Sequence, residues 1–127
     1  MDVSTGIITT VAGNGVRGYL DDGVVGTTTQ LNAPNGVAVD AAGNLFIADS
    51  GNHRIRRVDA GTNFISTVAG NGTRGEGGEG GPATSAELFI PADMAVYVSG
   101  NRFIAGPFKT RILRVDAGTG TSLRPSP

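Results

Sequence analysis

Residues 8–18 read ITTVAGNGVRG and residues 65–75 read ISTVAGNGTRG, one phrase stated twice 57 positions apart. The same offset carries VDAGT from Val58 to Val115, Pro34 to Pro91 and the frame GN-FIA from Gly43 to Gly100. Laying residues 7–63 on 64–120 without a gap gives 28 identities in 57 positions, too many for shared glycine content alone. The chain therefore contains an internal duplication, and a fixed period of this size marks stacked repeats rather than a single irregular domain.

The repeated phrase also contains G-x-G-x-x-G, as Gly13-Asn14-Gly15-Val16-Arg17-Gly18 and again from Gly70 to Gly75. That spacing cradles a dinucleotide only where it opens a helix inside a βαβ unit. Here each copy runs into more polar, glycine-rich chain, YLDDGVVG in one repeat and EGGEGGPA in the other. At most one helical turn follows, at TTTQL and TSAEL, where Thr27…Gln30 and Thr84…Glu87 have capping-box spacing. No long amphipathic pattern occurs, so no βαβ unit can be built and the nucleotide reading fails.

The apolar runs between turns are short and strand-like. GVAVD (36–40), NLFIAD (44–49), HRIRRVD (53–59) and FISTVAG (64–70) are rich in Val, Ile, Phe and Thr. Period-2 alternation in RIRRV and IST suits half-buried strands. AAGN, SGN and AGTN separate them with turn residues at hairpin lengths. Four antiparallel strands, a long crossing, then the same again describe tandem β-propeller blades. The expected organisation is an outer strand of a preceding blade (1–13), a crossing (14–35), a first blade (36–70) and a Gly-rich crossing (71–92). A second blade with three strands (93–119) and a non-repeat tail (120–127) follow. About two blades of a six-bladed, all-β propeller are expected. The chain starts and stops in mid-repeat, which suits a fragment of a longer propeller. The alternative is a unit of which three copies close a ring, residues 7–12 of each completing a neighbour's blade.

Composition bounds the function. Ten Lys+Arg against eleven Asp+Glu leave a net charge of −1, so no excess positive charge is available to track phosphates. Alternation further separates Arg54 and Arg56 from Arg57, which prevents a three-charge patch. No cysteine is present, which excludes disulfides and thiolate metal sites. No apolar run approaches a membrane span, and MDVSTGIITT lacks the features of a signal peptide. Partners are expected to be a protein or a carbohydrate, without nucleic acid, membrane or cofactor.

The stretch PNGVAVDAAGNLFIADSGNHRIRRVDAGT (34–62) resembles the NHL repeat of bacterial propellers, its signature triplet standing as Asn52-His53-Arg54. The second copy departs from it: DSGNHRIR (49–56) becomes GPFKTRIL (106–113), losing Asp49, Asn52 and His53. The resemblance implies a binding or scaffold role on a rigid frame, with ligands at loops on one rim. Asp49, Asn52 and His53 in the B–C turn, and Asn35 and Asp93 at the entry to strand A, are the candidate ligand contacts. Against that stands a structural role, in which Asp49 and Asn52 fold the turn, His53 packs on the next blade and Asn35 and Asp93 form strand-entry turns. Propeller lactonases, which share this architecture, hold a divalent cation with carboxylates and amides near the channel. That gives the enzyme alternative, a lactonase- or lyase-like propeller with a metal there. One histidine cannot form a His-rich zinc site, no catalytic residue is identified, and GEGGEGGPA lacks the Asp of a calcium-binding glycine repeat.

Overall fold

The computed structural model describes residues 4–19, 22–75, 77–78, 80–88, 91, 93–96, 102–105, 113–115 and 122–123. The chain is all-β, with two antiparallel sheets and, among the described residues, no α-helix. The first sheet contains β1 (Val24–Val25), β2 (Pro34–Val39), β3 (Leu45–Asp49), β4 (Arg54–Val58) and β5 (Phe64–Ala69), in the order β1-β5-β4-β3-β2. The second contains β6 (Asp93–Val96), β7 (Arg102–Ala105), β8 (Leu113–Val115) and β9 (Ser122–Leu123), in sequence order. Each is an up-and-down blade, as the strand and turn pattern predicts.

Tight turns set the strand register. In the β2–β3 hairpin, Asp40 Oδ1 accepts from the amides of Ala42 and Asn44, while Asn44 Nδ2 donates to Asp40 Oδ2. Gly43 takes a left-handed φ of 88° there, open to glycine without a Cβ penalty. In the β4–β5 hairpin, Asp59 Oδ1 accepts from Gly61 and Thr62 amides. Side-chain carboxylates thus supply the acceptors that turn backbone lacks.

Alternation gives the first sheet two apolar faces. Phe46, Ala48, Ile55 and Ala69 point one way and pack with Ile104 and Val115 of the second sheet, with Ala83 and Leu88 of the intervening crossing between them. A bulge between Ile55 and Arg56 lets Val68 join Ala69 on this face. Ile47, Val58 and Ile65 form the other face, backed by Ala12, Leu31 and Leu45. Burying a side chain such as Ile55 or Ile65 stabilises by about 1.5–3 kcal/mol. This face-to-face stacking of neighbouring sheets, with β2 beside β6, is propeller packing.

Three local expectations change. Residues 7–12 belong to no strand, and Ile8 is 82% exposed; a strand forms only against a partner, and no described strand lies alongside. The turns at Gly26–Thr28 and Ala83–Ser85 are 3-10 turns without a side-chain cap. Instead of closing a capping box, Glu87 Oε1 accepts from the Gly77 amide. Within the tail, Ser122 and Leu123 pair with Val115 and Arg114, positions equivalent to Ile65 and Ser66 in β5.

Candidate functional site

The turn from β3 to β4 begins at Asp49, passes through a 3-10 turn (Ser50–Asn52) and ends at His53 in the left-handed region, φ 53° and ψ 44°. Asp49 is fully buried. Its Oδ1 accepts from the Asn32 amide at 2.7 Å, and its Oδ2 accepts from Asn52 Nδ2 at 2.8 Å and Arg56 Nη1 at 3.2 Å. Arg56, also 0% exposed, reaches Asp22 Oδ1 at 3.0 Å with its other terminal nitrogen. Asn52 Nδ2 donates as well to Gly18 O, and the Gly51 amide to Asn32 O. The Tyr19 ring lies under the guanidiniums of Arg54 and Arg56, at 4.0 and 4.7 Å. These contacts tie the crossing, from Gly18 to Asn32, onto the turn and strand β4.

A buried carboxylate and guanidinium lose hydration that only close, complete partners offset. The set here gives partners to both Asp49 oxygens and to both terminal nitrogens of Arg56, and removing one partner of such a pair typically destabilises by about 3–5 kcal/mol. Asp49 and Asn52 thus have a structural occupation, and Asp49 presents no surface to a ligand. Alternation separates the arginines as expected: Arg57 sits on the opposite side and pairs with Asp59 at 3.2 Å, partly exposed to water.

Above this layer lies an open cleft of about 530 Å³ lined by Ala33, Pro34, Asn35, Ser50, Gly51, His53 and Arg74. Asn35 is exposed at a register shift between Pro34 and Gly36. Burial, then the charges of Arg74 and Arg54, hold the His53 imidazole below its ordinary value, favouring the neutral ring. Ser50 Oγ donates to the Pro91 carbonyl, which ties the turn to the entry of the second blade. Asp93 opens β6 opposite Ala105; its side chain lies outside the described residues. The structure therefore brings Asn35 and His53 together at one cleft and places Asp49 and Asn52 beneath it. Among the described residues, no three His, Cys, Asp or Glu side chains gather as a metal-ligand group.

The Gly-x-Gly phrase builds the crossing. Gly13 and Gly15, and likewise Gly70 and Gly72, have φ between 87° and 89°. Asn14 Oδ1 accepts from the Val16 amide and Asn71 Oδ1 from the Thr73 amide. The amides a phosphate would need are used internally: Gly13 donates to Gly26 O and Gly18 to Leu31 O, with Gly70 and Gly75 repeating both bonds. Each crossing presents an exposed arginine, Arg17 or Arg74, from an isolated bridge to Leu31 or Leu88.

Sequence reasoning missed Asn32 and Arg56 as partners of Asp49, and Asp22 and Tyr19 as partners of Arg56. A signal was present: Asp49, Asn52, Arg56 and Tyr19 all differ from their counterparts 57 residues on, Gly106, Lys109, Leu113 and Glu76.

Residues 31–58 match the family model of the NHL repeat. The chain is 35% identical over 86 residues to NHL repeat-containing protein 2 of Homo sapiens, covering 67% of this chain and 12% of that protein. It is 34% identical over 85 residues to the probable peptidyl-alpha-hydroxyglycine alpha-amidating lyase pgal-1 of Caenorhabditis elegans, covering 66% and 23%. A structural genomics protein of unknown function from Bacteroides thetaiotaomicron superposes with a TM-score of 0.70 at 25% identity, over 81% of this chain and 26% of that one. The chain spans only 9–12% of the length of the first curated relatives it matches.

Proposed function

This is an NHL-repeat protein, and from that premise we propose that it is a non-catalytic binding and scaffold module, a segment of a larger propeller whose rim cleft at Asn35, His53 and Arg74 takes a protein or carbohydrate ligand. One observation carries this reading. The turn's carboxylate is buried and fully engaged with protein donors, while the open cleft above it keeps an amide, a neutral imidazole and a guanidinium at its surface. Such groups donate and accept hydrogen bonds, and they stand on a rigid sheet. Function then lies in the loops and not in the fold itself.

Amide chemical shifts of the full chain, titrated with a panel of neutral and acidic oligosaccharides and acidic peptides, test it. Binding is expected to move Asn35, His53 and Arg74, and Arg74→Ala is expected to weaken that binding at least tenfold. Ligand-induced shifts confined to other faces would contradict the site. A second reading, lyase-like catalysis with a metal near Asn35 and Asp93, has the likeness to pgal-1 in its favour. Turnover of a peptidyl-α-hydroxyglycine that Asp93→Ala abolishes would establish it over the first.

A further inference from the structure

Three separate stretches of chain meet at the rim cleft. Asn35 enters from β2, Ser50 and His53 from the β3–β4 turn, and Arg74 from the crossing to the second blade. Backbone contacts fix each of them. β2 is laddered to β3 on both sides of the register shift at Asn35. The His53 amide donates to Ser50 O at 3.2 Å, which holds the ring on its left-handed residue. Arg74 leaves from the isolated bridge to Leu88, and the amide of Gly75 beside it donates to Leu88 O at 3.1 Å. The side chains therefore stand on set backbone around one opening.

The charge at this opening is one-sided. Burial keeps the His53 imidazole neutral, and two guanidiniums add to the effect, Arg74 from the crossing and Arg54 from the start of β4. Arg54 is anchored, its Nη2 donating to Asn71 O at 3.2 Å and its guanidinium lying over the Tyr19 ring. The carboxylate of the turn itself, Asp49, is buried beneath and engaged by Arg56, Asn52 and the Asn32 amide. The lining of the cleft and the repulsion felt by His53 are thus two separate signs of a positive field in an opening that presents hydrogen-bond donors.

We propose that the group this cleft recognises is a carboxylate of the ligand, paired with Arg74 and hydrogen-bonded by Asn35 and His53. The inference rests on the reading of the cleft as the binding site and names the chemistry of what enters it. A guanidinium offers a carboxylate two parallel N–H donors. An anion set beside His53 offsets the repulsion of Arg74 and Arg54 and favours the charged ring, which donates from both nitrogens where the neutral ring donates from one. Binding is therefore coupled to uptake of a proton on His53. Linkage makes the coupling reciprocal: the ligand strengthens proton binding by the factor with which the proton strengthens ligand binding. A uronic acid sugar and an acidic side chain of a peptide present the same group, and the test separates these two sources.

His53 is the sole histidine of the chain, so one imidazole Cε1–H resonance follows its titration in the full protein. The titration is run alone, with digalacturonic acid or acetyl-Gly-Glu-Gly-amide, and with their uncharged counterparts galactobiose and acetyl-Gly-Gln-Gly-amide. A bound acid is expected to raise the His53 midpoint by about one pH unit, which equals about tenfold tighter binding to the charged ring than to the neutral one. Arg74→Gln is expected to abolish the shift with the β-sheet circular dichroism retained. Arg17→Gln, at the same repeat position but outside the cleft, is expected to leave it. A shift from digalacturonic acid alone assigns the carboxylate to an acidic sugar, and one from the glutamyl peptide alone assigns it to a peptide. Uncharged counterparts that move the Asn35 and Arg74 amides as strongly as the acids do, without moving the His53 midpoint, would overturn the carboxylate and leave the cleft as the binding site. Acids and counterparts that move none of these signals would overturn both. A midpoint shift that Arg17→Gln reduces as much as Arg74→Gln would trace it to general surface charge and overturn the inference as well.

Discussion

The first blade and the second share a strand plan but not the residues that fasten the first to its crossing. In the first, Asp49, Asn52, Arg56 and Asp22 form a buried charged set, with Tyr19 beneath two guanidiniums. In the second repeat the corresponding residues are Gly106, Lys109, Leu113, Glu79 and Glu76. The acid and its arginine have been lost together. That is the pattern expected when losing one partner strands a buried charge, whereas exchanging both for uncharged residues is close to neutral. The signature turn of the family is in this light a way of fastening a long crossing, and a blade can keep its strands without it.

The largest effect should come from breaking that set. Asp49→Ala takes one of its two carboxylate partners from buried Arg56 and is expected to lower unfolding free energy by about 3–5 kcal/mol in urea titrations. Copying the second repeat sharpens the comparison. In Asp49→Gly, Arg56→Leu the loss is expected to be smaller than the sum of the single losses, with a coupling of about 1–3 kcal/mol. Strictly additive losses would mean the two residues act separately.

Crossings offer a second contrast at one repeat position. A Cβ on Gly70, at φ 89°, would collide with the His53 carbonyl oxygen and come within 3.0 Å of Arg54 Cα. Gly13, at φ 88°, would meet only the Leu31 side chain, at 3.4 Å or more. Gly13→Ala is expected to cost about 1–2 kcal/mol for its left-handed backbone, and Gly70→Ala more than that, since backbone atoms must also shift. Equal thermal shifts for the two variants would show that the turn against His53 is loose.

The smallest effect concerns pH. His53 is held below its ordinary value by burial and by Arg74 and Arg54. As pH falls through about 6.5 the unfolded chain takes up the proton first. Stability should therefore decline from that point and level off once the folded-state value is passed. His53→Asn, which tolerates the left-handed backbone, should remove this component of the slope. The second repeat has Thr110 at this position and contributes no such term.

Strand content and blade order were legible because alternation and turn chemistry act locally: Asp40 and Asp59 fold their own hairpins within four residues. The placement of Arg54 and Arg56 away from Arg57 followed from the same rule. What lay beyond reach were partnerships across the crossing. Asp49 meets Asn32, 17 residues earlier, and Arg56 meets Asp22, 34 residues earlier, and no local periodicity encodes either distance. The state of residues 7–12 was illegible for a related reason, since a strand sequence becomes a strand only beside a partner. The same holds for β1, two valines whose pairing with β5 depends on the fold around them.

The central claim is that Asp49 fastens the crossing to the blade, and the exchange rate of the Asn32 amide tests it directly. That amide donates to Asp49 Oδ1, 17 residues away. In native-state hydrogen exchange it should be protected to the level of the β3–β4 ladder, and Asp49→Ala should release Asn32 and Gly51 while ladder amides such as Ile47 keep most of their protection. An Asn32 amide that exchanges at the rate of an open loop in the unaltered protein would contradict the account.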